Sequence, residues 1–95
     1  MEILRLPEFD KWLAGLRDDA AVIRIIQRLD RLQHGNRGDY KYIGRGVMEL
    51  RITHGPGYRV YYVQRGNRLV VLLCGGDKSS QAADIRKALA LAERL

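Results

Sequence analysis

Two arginines in the middle of the chain, Arg51 and Arg59, are predicted to face one another across a pair of antiparallel strands. If Leu50 and Val60 both point into the core and pair with each other, the alternation of side chains sets Arg51 opposite Arg59. Like charges directly opposed in this way destabilise a strand pair. An anion held between two guanidinium groups removes that penalty, and a nucleic-acid phosphate is the anion we favour.

Three further residues complete a candidate catalytic group. Lys78 follows Gly75-Gly76-Asp77, where the chain is expected to leave the sheet, and would reach the same face as the arginines. Such cations can stabilise the extra negative charge of a pentacovalent phosphorane. Tyr61 would add a hydroxyl or a stacking ring. His54 is the candidate general acid or base, because its ordinary pKa lies near neutrality.

This set suits RNA cleavage, because RNA supplies its own nucleophile in the 2′-hydroxyl. Charge stabilisation, in-line positioning and proton transfer are then sufficient, and we predict no metal and no cofactor. The alternative is that the arginines are solvated residues on an exposed strand face and that His54 is simply an exposed turn residue.

A glycine-rich stretch, residues 35–46, mixes basic and aromatic side chains and is predicted to be a loop. Its basic residues Arg37, Lys41 and Arg45 are candidate RNA-binding residues beside Tyr40 and Tyr42.

Composition indicates one small cytoplasmic domain spanning residues 1–95. The chain has 17 Lys+Arg against 11 Asp+Glu, a net charge of +6, which favours a polyanionic or acidic partner over a merely basic surface. A single cysteine, Cys74, excludes an intramolecular disulfide and fits a reducing compartment. The longest apolar run is too short to cross a bilayer, and no export signal is apparent.

The elements that must position these residues have the order β-α-α-β-β-β-α. Apolar residues at helical spacing predict two helices joined as an antiparallel hairpin, the second beginning at Asp18 or Asp19 and ending at Gly35. Arg24, Arg28 and Arg31 fall on the outer face of that second helix. A last helix is capped by Ser79 or Ser80.

Four strands are predicted from alternation and turn residues: 2–6, 47–53, 58–64 and 68–74. A tight turn at Gly66-Asn67 would pair Arg65 with Arg68 and place Arg59 beside Cys74. The expected fold class is α+β, with an antiparallel-rich sheet packed against the helical hairpin and a C-terminal helix.

Four segments, FDKWL, ELRI, GPGYRVYYV and LCGGDKSSQ, resemble the RelE/ParE toxin superfamily, and most closely its phage Gp49-like branch of addiction-module killer proteins. The resemblance runs over nearly the whole chain. It implies a toxin of a type II toxin–antitoxin pair, neutralised by a cognate helix-turn-helix antitoxin.

RelE-like members cut mRNA on the ribosome, and the resemblance assigns three of their basic positions to Arg59, Arg51 and Lys78. The tyrosine that RelE carries in its last helix falls near Asp84 here. ParE-like members share the fold and poison DNA gyrase instead. We therefore predict an mRNA interferase, with a gyrase poison or a non-catalytic protein-binding module as the alternatives.

Overall fold

A computed structural model describes all 95 residues of the chain. The strands are β1 (Glu2–Arg5), β2 (Tyr40–Gly44), β3 (Val47–Ile52), β4 (Tyr58–Arg65) and β5 (Leu69–Asp77). The helices are α1 (Pro7–Ala14), α2 (Asp19–Gln33) and α3 (Gln81–Glu93), with a 3-10 turn, Lys78–Ser80, between β5 and α3.

The strands form one mixed sheet in the order β1-β5-β4-β3-β2. β1 pairs with β5 in parallel, and every other neighbouring pair is antiparallel. The predicted α+β class with a C-terminal helix is confirmed. None of the helices combines the length and apolar character needed to span a membrane.

The helical hairpin covers one face of the sheet. The side chain of Asp18 accepts a hydrogen bond from the Ala21 amide at 3.1 Å and so caps α2, as the sequence indicated. The core on this face joins side chains of both helices to the three central strands: Phe9, Leu13, Ala21, Ile25, Leu29, Leu32, Leu50, Ile52, Tyr58, Val60, Tyr62, Val70 and Leu72.

The opposite face has a smaller core under α3. Its buried members are Val47, Tyr61, Val63, Val71, Leu73, Cys74, Ala88 and Leu91. Arg51 and Arg59 extend the same face towards the N-terminal end of α3, where they are only half-buried. The uncovered end of this face is therefore available for a site.

The prediction of a continuous loop over residues 35–46 is wrong. Residues 40–44 form β2, an edge strand in which Tyr40 pairs with Leu50 and Lys41 with Glu49. The glycines suggested a loop, but pairing with β3 decides the conformation, and alternate tyrosines suit a strand. β2 and β3 are joined through Arg45 and Gly46, which both have positive φ angles, 51° and 83°.

The end predicted for the last strand is also wrong, because β5 continues through Gly75 and Gly76 to Asp77. A Cβ atom at Gly75 would overlap the Trp12 ring, and one at Gly76 would overlap the Asp84 carboxylate. The two glycines thus allow α1 and α3 to pack closely against the strand rather than turning the chain out of the sheet.

Two differences correct the predicted β4–β5 register. Arg65 pairs with Leu69 and not with Arg68, because the turn between the strands contains three residues, 66–68, and not two. A bulge in β5 then shifts the register by one further residue. Tyr62 pairs with Leu72 but Tyr61 pairs with Cys74, so Leu73 is an extra residue in β5. Arg59 consequently pairs with Gly76 and not with Cys74.

Candidate active site

A cleft of about 400 Å³ opens where β3, β4 and the end of β5 meet the β3–β4 turn. Its lining includes the predicted cations Arg51, Arg59 and Lys78 and the predicted proton-transfer residue His54. Asp39 is the one carboxylate in the lining. Four of the five residues predicted to be catalytic are therefore brought together.

The β3–β4 register is the one the sequence predicted. Leu50 pairs with Val60, Glu49 with Tyr61, and Arg51 with Arg59. The two arginines are thus direct neighbours on the sheet face that borders the cleft.

A buried carboxylate lies behind the arginines. Glu49 is 0% exposed and accepts three hydrogen bonds, from the Tyr61 hydroxyl at 2.9 Å, Gln81 Nε2 at 2.8 Å and Arg51 Nε at 3.2 Å. Burial by itself would raise the pKa of Glu49. The hydrogen bonds from Gln81, Tyr61 and Arg51 and the charge of Arg59 more than offset it, so the pKa lies below its ordinary value. Glu49 is therefore an anion at neutral pH that holds the arginine pair in place.

Arg59 keeps unused hydrogen-bonding capacity. Its Nε atom is buried and has no hydrogen-bond partner, while its side chain lines the cleft. A buried donor without a partner costs about 1–3 kcal/mol. The Arg59 side chain also takes part in no ion pair, so the part of the guanidinium group that borders the cleft can bind an anionic ligand.

Lys78 is positioned by two local features. Asp77 caps the 3-10 turn that carries Lys78, accepting a hydrogen bond from the Ser79 amide at 2.8 Å. Gly57, with a φ angle of +80°, lets the aliphatic part of Lys78 lie across the β3–β4 turn, because a Cβ there would lie 3.1 Å from Lys78 Cγ and Cε. The lysine is exposed and takes part in no ion pair.

His54 is held from both sides. Its Nε2 atom lies 3.1 Å from Asp18 Oδ2, and its ring stacks on Tyr58 with 6.5 Å between centroids. The backbone hydrogen bond from Ala21, followed by the hydrogen bond to His54, lowers the pKa of Asp18. In the tautomer that carries the hydrogen on Nε2, the imidazole donates to the Asp18 carboxylate and Nδ1 is left as the acceptor nitrogen.

Tyr61 does not line the cleft. Its ring is 0% exposed, its hydroxyl donates to Glu49, and burial followed by that hydrogen bond raises its pKa. Tyr61 therefore positions Glu49 and does not reach a bound ligand.

The three predicted RNA-binding residues lie outside the cleft, and they share no contact partner. The Arg37 guanidinium lies 5.1 Å from the Tyr40 ring centroid, and Arg45 forms an ion pair of 3.1 Å with Glu93 on α3. Lys41 is exposed on β2.

The sequence reasoning did not identify Glu49, Gln81 or Arg28 as site residues. Glu49 could have been found, because residues two apart on a strand share a face and Glu49 stands two before Arg51. The sequence predicted that Arg28 lies on the outer face of α2. It is half-buried and donates to the backbone carbonyl of Arg51 at 2.5 Å, which ties α2 to the strand bearing that arginine.

Cys74 is not activated by a cation, because the effect of Lys87, which lowers its pKa, is outweighed. Burial, reinforced by the Asp84 charge, raises the pKa of the Cys74 thiol to about 12. Its thiol is therefore an inert part of the core under α3.

The fold and the cleft define a small α+β protein with a cationic site on one sheet face, as in the toxins that the sequence resembles. The family model described as phage derived protein Gp49-like matches residues 11–95. An uncharacterized protein of Haemophilus influenzae (strain ATCC 51907 / DSM 11121 / KW20 / Rd) is 51% identical over 87 residues, which cover 92% of this chain and 88% of that protein. The chain belongs to the Gp49-like family of phage-derived proteins, a RelE-like toxin branch.

Proposed function

We propose that this protein is the toxin of a type II toxin–antitoxin pair and cleaves mRNA without a metal ion. The observation that carries the proposal is the meeting of Arg51, Arg59 and Lys78 in one cleft, where neither Arg59 nor Lys78 takes part in an ion pair. Three cations around a single cleft match the charge that develops on a phosphate under nucleophilic attack.

The reaction we propose is an internal transesterification. The 2′-hydroxyl of the RNA attacks the adjacent phosphorus while His54 Nδ1 accepts its proton, and Asp18 holds the imidazole in the required tautomer. Arg51 and Arg59 hold the non-bridging oxygens of the phosphorane. The 5′-oxygen leaves with a proton from the Lys78 ammonium, giving a 2′,3′-cyclic phosphate and a 5′-hydroxyl end.

The partners follow from the same proposal. Translated mRNA on the ribosome is the substrate, the cytoplasm is the compartment, and a helix-turn-helix antitoxin is the inhibitor. The net charge of +6 supports an acidic antitoxin segment that covers the cleft and blocks the access of RNA.

Mapping transcript ends shortly after induction tests this function. The wild-type chain should produce new 5′-hydroxyl ends at fixed positions within codons. Arg59→Ala should abolish them, because it removes one side of the phosphate site. Arg65→Ala is the matched control, since Arg65 lies at the far end of the same strand, is exposed, and should leave cleavage unchanged.

Other outcomes would contradict the proposal. Early chromosome breaks with intact transcripts would indicate a gyrase poison. A chain that binds its antitoxin but neither cuts RNA nor slows growth would be a protein-binding module. Full activity of both Arg59→Ala and Lys78→Ala would show that the cleft is not the active site.

A further inference from the structure

A second basic depression adjoins the cleft. It has a volume of about 120 Å³ and is lined by Arg24, Gln27, Arg28, Arg31, Ile52 and Thr53. Ile52 and Thr53 also line the cleft, so the two hollows meet across the end of β3. No carboxylate lines the depression.

Its three arginines stand on one face of α2, at positions i, i+4 and i+7. They differ in their contacts. The Arg28 guanidinium donates to the backbone carbonyls of Arg51, Arg37 and Asp39, at 2.5, 3.2 and 3.2 Å. Arg28 therefore forms the fixed floor of the depression.

Arg24 and Arg31 are free of such contacts. Both are exposed and neither takes part in an ion pair. Burial is the main cause that lowers the pKa of Arg28; the Asp39 charge opposes it and the Arg31 charge adds to it. Positive charge is thus concentrated on this part of α2. The other exposed side chains of the lining, Gln27 and Thr53, are uncharged and can bind a ligand only through hydrogen bonds.

We propose that Arg24 and Arg31 bind the phosphates of single-stranded RNA that runs out of the cleft over Thr53 and along α2. The inference rests on the proposed function, since it takes RNA as the ligand of the cleft. Seven residues of helix separate the two arginines, a rise of about 10 Å, which suits contacts to different phosphates of one strand. These contacts read the backbone and not the bases, so they extend the binding site without adding sequence preference.

The test measures binding separately from cleavage. The probe is a 12-nucleotide single-stranded RNA with 2′-O-methyl riboses, which lack the attacking hydroxyl. Its dissociation constant is measured between 50 and 300 mM NaCl for the wild-type chain and for Arg24→Ala/Arg31→Ala. Both positions are exposed on a helix, where alanine is well tolerated.

The double variant should lose about 1.4 from the slope of log K against log salt, about 0.7 for each phosphate contact. At 0.1 M salt, this corresponds to roughly 25-fold weaker binding. The matched control is Arg65→Ala/Arg68→Ala, which removes the same charge from the exposed β4–β5 hairpin. That variant should bind within about twofold of the wild type, because long-range charge alone is screened at this salt concentration.

Equal loss in both double variants, or no loss in Arg24→Ala/Arg31→Ala, would overturn the inference, as would a wild-type chain that does not bind the probe at 50 mM NaCl. An unmethylated probe and the transcript mapping report on the proposed function separately. Weaker binding in the α2 variant with no cleavage by the wild type would uphold this phosphate subsite and refute the nuclease. RNA cleavage by the wild type, together with unchanged binding of the methylated probe by the α2 variant, would support the nuclease and refute the phosphate subsite.

Discussion

Replacing Glu49 by glutamine tests whether the buried carboxylate holds the arginine pair. The substitution keeps the shape of the side chain and one acceptor oxygen, but it removes the negative charge that interacts with Arg51 and Arg59. Glu49 accepts three hydrogen bonds, and its side chain is fully buried. Removing one partner of a buried ion pair destabilises a protein by about 3–5 kcal/mol. Because Arg51 is 33% exposed and can regain water, we expect the lower end, about 3 kcal/mol.

Urea unfolding followed by tryptophan fluorescence measures this change. Trp12 is the single tryptophan and packs against Gly75 in the helical-hairpin core, so its signal reports on global unfolding. Glu49→Gln should lower the free energy of unfolding at pH 7 by about 3 kcal/mol without changing the urea m-value. Glu93→Gln is the matched control: Glu93 is 67% exposed in its ion pair with Arg45, and its loss should change stability by less than about 1 kcal/mol.

The pH dependence has a definite sign. The pKa of Glu49 is lowered in the folded state, so the unfolded chain binds the proton first as the pH falls. The stabilisation from the carboxylate is present above the ordinary glutamate pKa of about 4.3 and is lost as the pH falls through the folded-state value. The difference between the wild type and Glu49→Gln should therefore shrink in acid. Equal stability of the two proteins at pH 7, or a difference that does not change with pH, would refute the reasoning.

Three further predictions concern other contacts of the site and core. Gly76→Ala should lower the free energy of unfolding by about 1–3 kcal/mol, because the added methyl group meets the Asp84 carboxylate. Urea titration measures the change, with Gly15→Ala as the control, since Gly15 is exposed and has a negative φ angle of −83°. Unchanged stability of Gly76→Ala would contradict the packing described. Cys74 should resist a thiol reagent at pH 8 in the folded state, because a pKa of about 12 leaves roughly one thiol in ten thousand ionised. Rapid labelling in the absence of urea would contradict the burial of this thiol. His54→Ala should slow RNA cleavage by about 10²–10⁴-fold, while its dissociation constant for the methylated probe stays within about twofold of the wild-type value. A variant that cleaves RNA at the wild-type rate would exclude His54 as the base.

The sequence predicted the arginine pair because the evidence for it is local. Alternation fixes which face each side chain takes, and the need to bury Leu50 and Val60 fixes the register between β3 and β4. Lys78 was found for a related reason, since it follows the last strand and must emerge near its end.

What the sequence did not predict depends on contacts between distant segments. β2 is a strand because β3 lies beside it, which no property of residues 40–44 guarantees. The third turn residue and the extra residue Leu73 in β5 leave no mark on the apolar pattern. The register predicted from a two-residue turn was therefore wrong by one residue at Arg65 and by two at Arg59. The sequence predicted that Tyr61 reaches the ligand. In the structure Tyr61 is buried under α3, and its hydroxyl donates a hydrogen bond to Glu49.

The parallel pairing of β1 with β5 determines how much of the chain must be synthesised before the sheet can form. Residues 2–5 leave the ribosome well before residues 69–72, with which they pair. Lys78 and the Gln81 amide that binds Glu49 emerge later still. Non-local pairings of this kind form slowly. A chain synthesised only as far as β4 therefore lacks the partner strand of β1 and the Lys78 side of the cleft, so the cleft forms only after β5 and residue 78 have left the ribosome.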